Sequence, residues 1–270
     1  MWNQEKVAIF EDTQRMIQED TVLQKRMLQC QSNSHLYLEG YVSPLRTMKS
    51  EGDVQVVVTS SFQCARDLLP LGEKVAVLNF ANPQNPGGGI LAGMSGQEEC
   101  LCRCSDLYNV LTYPYFLRHY YQYHKENCDG FSTDRLIYSA GVTVIKSDDK
   151  VPQVLEEPFA VDVITCAAPY LGENCTKSEA ELLEIYRARI RNILEVSMAQ
   201  DVDILVLGAF GCGAFRNDPY LMARAFADVL LQQSYAKYFK KVLFAIRPSN
   251  MSPNLRAFGG VFGGISGGEM

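Results

Sequence analysis

The sequence predicts an α/β protein, with a mostly parallel or mixed central sheet that helices cover on both faces. Continuous apolar runs rich in Val, Ile and Leu recur along the chain, and amphipathic segments with a helical period separate them. Such unbroken runs are typical of strands buried on both faces, and a regular alternation of strand and helix indicates crossover connections. The sequence has no internal repeat and no linker dividing this pattern, which favours one domain.

The predicted elements follow one another along the chain. Helical periodicity covers residues 3–30. Predicted strands lie at 54–60, 74–81, 159–168, 202–210 and 240–248, and residues 134–146 are predicted to form either a strand pair or one bent strand. Predicted helices lie at 62–69, at 95–124 with an interruption at Pro114, at 177–200 and at 219–233. The resulting organisation is an N-terminal helical extension over 1–50, a core over 51–252 and a glycine-rich tail over 253–270, which we expect to be flexible.

Composition and charge exclude several classes of protein. The formal net charge is −6 and 47% of the residues are hydrophobic, which is ordinary for a globular protein with a sizeable core. An acidic chain lacks the basic footprint of a DNA- or RNA-binding protein, so backbone N–H groups would have to hold an anionic ligand. No apolar run approaches the roughly 20 residues of a membrane span, and no secretory segment begins the chain. We expect a cytoplasmic protein.

The nine cysteines predict neither disulfides nor a metal site. Their number is odd, and several fall within predicted strands or helices, which favours reduced structural thiols. Cys100, Cys102 and Cys104 form a CxCxC motif, but no second cysteine pair or histidine pair lies nearby to complete the four ligands of a zinc site.

Two glycine-bearing turns follow predicted strands. Gly87-Gly88-Gly89 follows the strand that ends near Phe80, and the turn at 211–215 follows the strand that ends near Leu207. Ligands of open α/β sheets bind outside the carboxyl ends of strands. Glycine there permits positive φ angles, so that successive N–H groups can converge on an anion. Neither turn matches a Walker loop or a GxGxxG fingerprint, and the two together favour a ligand with more than one phosphate.

An acid pair follows the glycine triplet, and two interpretations of it stay open. Ser95 and Glu98 have the spacing of a capping box, and carboxylates in a first helical turn also favour the helix dipole. Alternatively, Glu98 or Glu99 acts on a sugar bonded to a diphosphate in the preceding turn. Glycosidic cleavage needs a proton for the leaving oxygen, and a like-charged neighbour with an apolar wall would raise the pKa of the acid.

Three segments carry a resemblance to a known family. "NFANPQNPGGGILAGMSGQEE" (79–99) resembles the signature of poly(ADP-ribose) glycohydrolases of the bacterial type, within the macrodomain superfamily. "GAFGCGAFRND" (208–218) resembles the second loop of that family, and "VDVITCAAPYL" (161–171) is similar to the segment between the loops. The resemblance spans roughly residues 54–250.

The resemblance implies a three-layer α/β/α macrodomain-like fold, ADP-ribose as ligand, and hydrolysis of a ribosyl O-glycosidic bond without metal or cofactor. Glu99 matches the catalytic acid/base and Glu98 the carboxylate that holds ribose hydroxyls. Asn82 matches an asparagine that contacts the ribose, and Phe215 an aromatic residue that orients the distal ribose. The other residues of the implied substrate site are Gln97 and those that line the diphosphate: Gly87, Gly88, Gly89, Gly211, Cys212, Gly213 and Ala214. Arg216 stands where the family often has glycine.

Three functions remain open from the sequence. The first is an exo-acting poly(ADP-ribose) glycohydrolase, and the second is a hydrolase of the same fold that removes mono-ADP-ribose from proteins. Both would use Glu99. The third is a non-catalytic ADP-ribose reader, which would need the loops but not the acid pair, so the intact pair argues against it. The expected partners are ADP-ribose and ADP-ribosylated proteins or polymer, and no oligomeric state is predicted.

Overall fold

The computed structural model describes residues 3–127, 129–172, 175–247, 252–263 and 265–266. The helices are α1 Gln4–Glu19, α2 Thr21–Ser32, α3 Ser61–Leu68, α4 Gln97–Cys104, α5 Leu107–Leu111, α6 Pro114–Phe116, α7 Tyr123–Glu126, α8 Glu179–Ala199, α9 Pro219–Ala227 and α10 Pro253–Phe262. The strands are β1 His35–Tyr37, β2 Val54–Val57, β3 Val75–Phe80, β4 Leu136–Lys146, β5 Val154–Cys166, β6 Ile204–Leu207, β7 Lys241–Ala245 and β8 Ile265–Ser266.

The chain forms two compact units. The first unit comprises Met1–Tyr37, Asn79–Cys128 and Arg135–Ala167, and the second comprises Leu38–Leu78, Asp129–Asp134 and Ala168–Met270. Each unit is assembled from separate stretches of chain, and neither has a boundary at residues 50/51 or 252/253. Those predicted domain limits therefore stay predictions.

The two units contain different kinds of strand pairing. In the first unit, β4 pairs antiparallel with both β1 and β5, with Leu136 opposite Cys166. In the second unit the strand order is β3-β6-β7-β2-β8, and the pairs are parallel. The central strands of this order are buried apolar runs, as the sequence predicted. The prediction of an α/β fold with a mixed sheet is confirmed.

The N-terminal helical segment is two helices rather than one. Asp20 ends α1 with an extended backbone, and its side chain accepts hydrogen bonds from the N–H groups of Val22 and Leu23 at 2.7 and 3.1 Å. An aspartate in this conformation is a strong N-cap, so it starts a new helix and breaks the predicted 3–30 segment. Ile17 and Leu23 pack with Ile145 of β4 in one buried cluster.

The predicted helix over 95–124 is also divided. Ser105 has an extended backbone after α4 and forms an isolated antiparallel bridge with Val144, which takes it out of the helix. Pro114 opens α6, and a π-helical turn over Leu117–Gln122 leads from α6 to α7. This π-helical turn buries Tyr120 and Tyr121, so the aromatic stretch at 113–126 contributes to the core.

Part of the predicted flexible tail is helical. Residues 253–262 form α10, in which Ala257 and Phe258 are buried, and Phe258 contacts Phe226 and Phe244 of the second unit. Apolar residues that precede the glycines therefore attach this part of the tail to the core. The end of the predicted tail, 267–270, lies outside the described residues. No helix in the described ranges is long and apolar enough to cross a membrane.

Candidate active site

Strand β3 leads from the second unit into the loop that contains the glycine triplet. The side-chain oxygen of Asn82 accepts hydrogen bonds from the N–H groups of Gln84 and Asn85, both at 2.9 Å. This Asx turn reverses the chain directly after the strand. The carboxyl end of β3 is thereby connected to the triplet by a short, internally bonded loop.

Each glycine of the triplet makes room for a different neighbour. A Cβ on Gly87 would lie 2.9 Å from the Tyr108 ring, and a Cβ on Gly89 would lie 2.5 Å from Cγ of Met94. A Cβ on Gly88 would lie 2.6 Å from Oε1 of Glu99 and 3.2 Å from Oε2 of Glu98. Gly87 and Gly88 also have positive φ angles, at 70° and 58°. The triplet therefore lies directly against both carboxylates of the acid pair.

The N–H groups of the triplet donate to acceptors within the protein. Gly88 donates to the carbonyl of Asn85 at 3.0 Å, and Gly89 donates to Oε1 of Glu99 at 2.9 Å. The backbone of Gly87 also lowers the pKa of Glu98. The predicted role of these groups in binding a diphosphate stays a prediction, because in the structure they position the loop against the acid pair.

The capping-box interpretation of Ser95 and Glu98 is wrong. The N-cap of α4 is Gly96, and among the residues that the structure describes no side chain caps this helix. The hydroxyl of Ser95 pairs instead with the ammonium of Lys6. The carboxylate of Glu98 lies in the protein interior, where it accepts hydrogen bonds from the preceding loop, and so it is unavailable to the backbone at residue 95.

Glu98 is buried, with 3% of its surface exposed. Its Oε2 accepts the N–H of Asn82 at 2.7 Å, and its Oε1 lies 3.4 Å from the amide nitrogen of Asn79, a long hydrogen bond. Burial raises the pKa of Glu98 to about 8, and the neighbouring charge of Glu99 adds to this, although the donated hydrogen bonds act in the opposite direction. A raised pKa was predicted for the acid of the pair, the role that the resemblance gives to Glu99, whereas in the structure the raised pKa belongs to its buried neighbour Glu98.

Glu99 is half-buried, and its two carboxyl oxygens differ in their hydrogen bonding. Its Oε1 accepts the N–H of Gly89, whereas its Oε2 accepts no hydrogen bond within the described part of the chain. A Cβ on Gly96 would lie 2.3 Å from this Oε2, so glycine is required there as well.

Gln97 connects α4 to the end of β3. Its side-chain oxygen accepts a hydrogen bond from the N–H of Phe80 at 2.8 Å.

Helix α1 and its N-cap residue Asn3 make contacts that support α4 and the loop before it. The N–H of Asn3 donates to the carbonyl of Ala92 at 3.3 Å, close to Gly93. The buried hydroxyl of Thr13 donates to the carbonyl of Arg103 at 2.7 Å, near the end of α4. The buried guanidinium of Arg103 donates in turn to the carbonyl of Met94 at 2.9 Å. These contacts fix both ends of the segment that carries Glu98 and Glu99.

The second glycine turn lies in the second unit, and a buried asparagine holds it. Gly211 has φ of 71°, and a Cβ there would lie 2.5 Å from both Ala168 and Asn217. The amide of Asn217 donates to the carbonyls of Pro169 and Gly211 at 2.8 and 2.9 Å, and its oxygen accepts the hydroxyl of Tyr186 at 2.7 Å. Asn217 thus determines the shape of this turn.

The other predicted residues of the second turn differ in exposure. Gly213 and Ala214 are exposed, while Cys212 and Phe215 are half-buried. Burial raises the pKa of the Cys212 thiol to about 12, so it is a neutral thiol at physiological pH. The Phe215 ring meets the Tyr170 ring edge to face, with centroids 5.7 Å apart. Arg216 has φ of 61°, the left-handed conformation that glycine adopts most readily, which accounts for glycine at this position in the family.

Several site-forming residues were not identified from the sequence. Asn79 is a buried polar residue within the apolar strand β3, and a polar residue in an apolar run was the available signal. Asn217 is also buried, but it lies between an arginine and an aspartate and gave no such signal. Thr13 and Arg103 gave no such signal, because their contacts join segments distant in sequence.

The cysteines form no metal centre in the described ranges. No group of three or more potential metal ligands occurs there, and the eight cysteines described are all free thiols. Burial raises the pKa of the Cys102 and Cys104 thiols well above the ordinary value. These thiols are therefore protonated members of the core, consistent with the structural role predicted for them.

Comparison with protein-family models identifies the first part of the chain. The model of the microbial-type PARG catalytic domain matches residues 3–147. That range includes α1, the glycine triplet and the acid pair. A comparison with curated proteins gave no match.

Solved structures of poly(ADP-ribose) glycohydrolase (PARG) resemble most of the chain. The enzyme from Thermomonospora curvata has a TM-score of 0.85 at 29% identity, over 96% of this chain and 100% of that one. Its complex with the inhibitor ADP-HPD has a TM-score of 0.83 at 30% identity, over 96% and 99%. PARG from Deinococcus radiodurans in complex with ADP-ribose has a TM-score of 0.75 at 31% identity, over 87% and 95%.

These matches agree with the motifs in the sequence. The family model covers more than half of the chain, and the structural similarity extends over both units at identities near 30%. The macrodomain-like fold class that the resemblance implied is confirmed. The chain therefore belongs to the microbial-type poly(ADP-ribose) glycohydrolase family and is a glycohydrolase.

Proposed function

We propose that this protein hydrolyses the ribosyl O-glycosidic bonds of poly(ADP-ribose), releases ADP-ribose from chain ends, and uses Glu99 as its acid/base. One observation carries the proposal: the Gly89 N–H holds Oε1 of Glu99, which leaves Oε2 of a half-buried carboxyl open to a substrate. An acid/base needs this combination of a fixed orientation and an accessible oxygen.

In the proposed reaction, the bond between C1″ of the terminal ribose and the leaving oxygen breaks. The carboxylic proton of Glu99 passes to that oxygen while positive charge develops at C1″. A water molecule then adds to C1″, and its proton returns to the Glu99 carboxylate. The products are ADP-ribose and a polymer one unit shorter, and the enzyme is restored without a metal or cofactor.

Glu98 and Asn82 would act on the sugar in a second role. The family resemblance assigns the ribose hydroxyls to Glu98 and a contact with the ribose to Asn82. The hydrogen bond between these residues, at 2.7 Å, fixes the Asn82 backbone beside the acid pair. The assignments of Gln97, of Gly87–Gly89 and of the second turn to the substrate rest on the same resemblance. Relatives bound to ADP-ribose and to ADP-HPD support the class of ligand.

The test is release of free ADP-ribose from two substrates, automodified poly(ADP-ribosyl)ated protein and mono(ADP-ribosyl)ated protein. We expect release from the polymer as single ADP-ribose units, which indicates exo-action, whereas oligomeric products would indicate endo-action. Release only from the mono-modified protein would replace the proposed substrate. Binding of ADP-ribose without any release would indicate a reader.

Glu99→Gln tests the acid/base. Glutamine retains an oxygen that accepts the Gly89 N–H, so ADP-ribose affinity measured by calorimetry should remain close to that of the unchanged protein. Polymer cleavage should fall by about 100-fold or more, the usual contribution of a general acid. Glu126→Gln, at an exposed position of the same unit, serves as the matched control. Full activity in Glu99→Gln would refute the assignment.

A further inference from the structure

Two large apolar side chains are exposed in the loop between the glycine triplet and α4. Leu91 is 58% exposed and Met94 is 54% exposed. Single exposed apolar residues are common on protein surfaces and need no function. These two differ because they lie in the same short segment, immediately before the helix that carries Glu99.

The backbone that carries Met94 is fixed. Its N–H donates to the carbonyl of Gly89 at 3.2 Å, and its carbonyl accepts the buried guanidinium of Arg103 at 2.9 Å. The preceding Gly93 has φ of 72° and lies so close to Asn3 that a Cβ would be 2.3 Å from the Asn3 carbonyl oxygen. The exposure of Met94 is thus a property of a well-anchored loop.

The Met94 side chain lies next to the Glu99 carboxylate. A Cβ placed on Gly89 would be 2.5 Å from Cγ of Met94 and 3.6 Å from Oε1 of Glu99, so one methyl group would touch both. The acid and the exposed thioether side chain are therefore neighbours on the surface of the first unit.

We propose that Met94 and Leu91 form the binding surface for the leaving ADP-ribosyl unit of the polymer, an inference that rests on the proposed function. A general acid must face the leaving oxygen, so an exposed side chain beside its carboxyl group lies within reach of the leaving group. In poly(ADP-ribose) the leaving oxygen is a hydroxyl of an adenosine ribose. An adenine ring therefore lies close to the scissile bond, and methionine makes favourable contacts with aromatic rings.

The experiment compares Met94→Ser, Leu91→Ser and the double variant with the unchanged protein. The KM for poly(ADP-ribose) should rise by about three- to tenfold in the double variant and less in each single variant. The Kd for free ADP-ribose should change less than twofold, because free ADP-ribose has no leaving unit. Met48→Ser is the matched control, since Met48 is 65% exposed in the second unit, and its KM for polymer should stay unchanged.

The outcomes separate this inference from the proposed function. If the unchanged protein cleaves no polymer, the proposed function and this inference fail together. If it cleaves polymer and the double variant retains the same KM, this inference alone is overturned. A matching rise in the Kd for ADP-ribose would also overturn it, because the two residues would then affect the released unit. Thermal melting checks that each variant is folded.

Discussion

Glu98 should make the stability of this protein fall as the pH rises, and Glu98→Gln should remove that effect. The pKa of Glu98 is about 8 in the folded protein against 4.5 for a free glutamate side chain. Between these values the unfolded chain loses the proton while the folded chain keeps it. Stability is therefore fully present below pH 4.5 and is lost as the pH rises towards 8.

The size of the effect follows from the pKa difference. One pKa unit corresponds to about 1.4 kcal/mol, so the full pKa difference lowers the free energy of unfolding by on the order of 5 kcal/mol. Roughly 3 kcal/mol of this loss occurs between pH 5 and pH 8. Other groups also titrate in this range, including Asp106, whose burial raises its pKa to about 7. Their contribution cancels when variant and unchanged protein are compared at each pH.

Glutamine fits the Glu98 position without a charge. Its oxygen can accept the N–H group of Asn82, as the carboxylate does. Its amide needs an acceptor, and Oδ1 of Asn79 is buried without a hydrogen-bond partner in the described structure. Rotating the Asn79 amide by half a turn would present that oxygen, and a protonated Glu98 could donate to it in the same way.

The assay is urea unfolding of both proteins at pH 5, 6, 7 and 8. The free energy of unfolding of Glu98→Gln, relative to the unchanged protein, should increase with pH by roughly 3 kcal/mol. Glu157→Gln, at an exposed position of the same unit, measures what removal of one carboxyl group does by itself. A difference that stays constant from pH 5 to pH 8 would show that Glu98 is ionised in the folded protein and refute the reasoning.

Two further substitutions test the glycine turns. Gly88→Ala should reduce polymer cleavage and destabilise the protein by more than the roughly 1–2 kcal/mol of a left-handed residue, because its Cβ would be 2.6 Å from Oε1 of Glu99. Gly40→Ala is its matched control, with a similar φ of 68° and open space around it, so it should lose only the backbone contribution and retain activity by the same assays. Arg216→Gly should leave the free energy of unfolding unchanged or raise it by up to about 1 kcal/mol, since φ is 61° there. A clear loss of stability in urea would indicate that the arginine side chain outweighs its backbone strain.

Local patterns in the sequence were sufficient to predict β2 to β7 and the position of the acid pair, but they did not predict the short strands β1 and β8. The run at 74–81 became β3 at Val75–Phe80, and the run at 202–210 became β6 at Ile204–Leu207, because buried strands need apolar residues on both faces. Glu98 and Glu99 lie in the first turn of α4, as their sequence context indicated.

Long-range contacts could not be predicted in this way. The spacing of Ser95 and Glu98 suits a capping box. The Glu98 carboxylate instead accepts hydrogen bonds from the Asn82 N–H and from the side chain of Asn79, a buried residue 19 positions earlier. Similarly, Thr13 supports the end of α4 across 90 residues of sequence. A periodic pattern records which face of a helix is buried, and it contains no information about which polar groups meet there.

The glycine triplet has two candidate roles, which are to position the carboxylates of the acid pair and to bind the diphosphate. The family resemblance assigns the triplet to a diphosphate, whereas in this chain the N–H groups of Gly88 and Gly89 donate to Asn85 and Glu99. If the triplet mainly positions the carboxylates, Gly88→Ala should lower kcat for polymer cleavage far more than it weakens ADP-ribose binding. If the main use is to hold the diphosphate, the Kd for ADP-ribose should rise at least as much as kcat falls. Calorimetry and turnover measured on the same preparation, beside Gly40→Ala, therefore decide which contact requires the glycine.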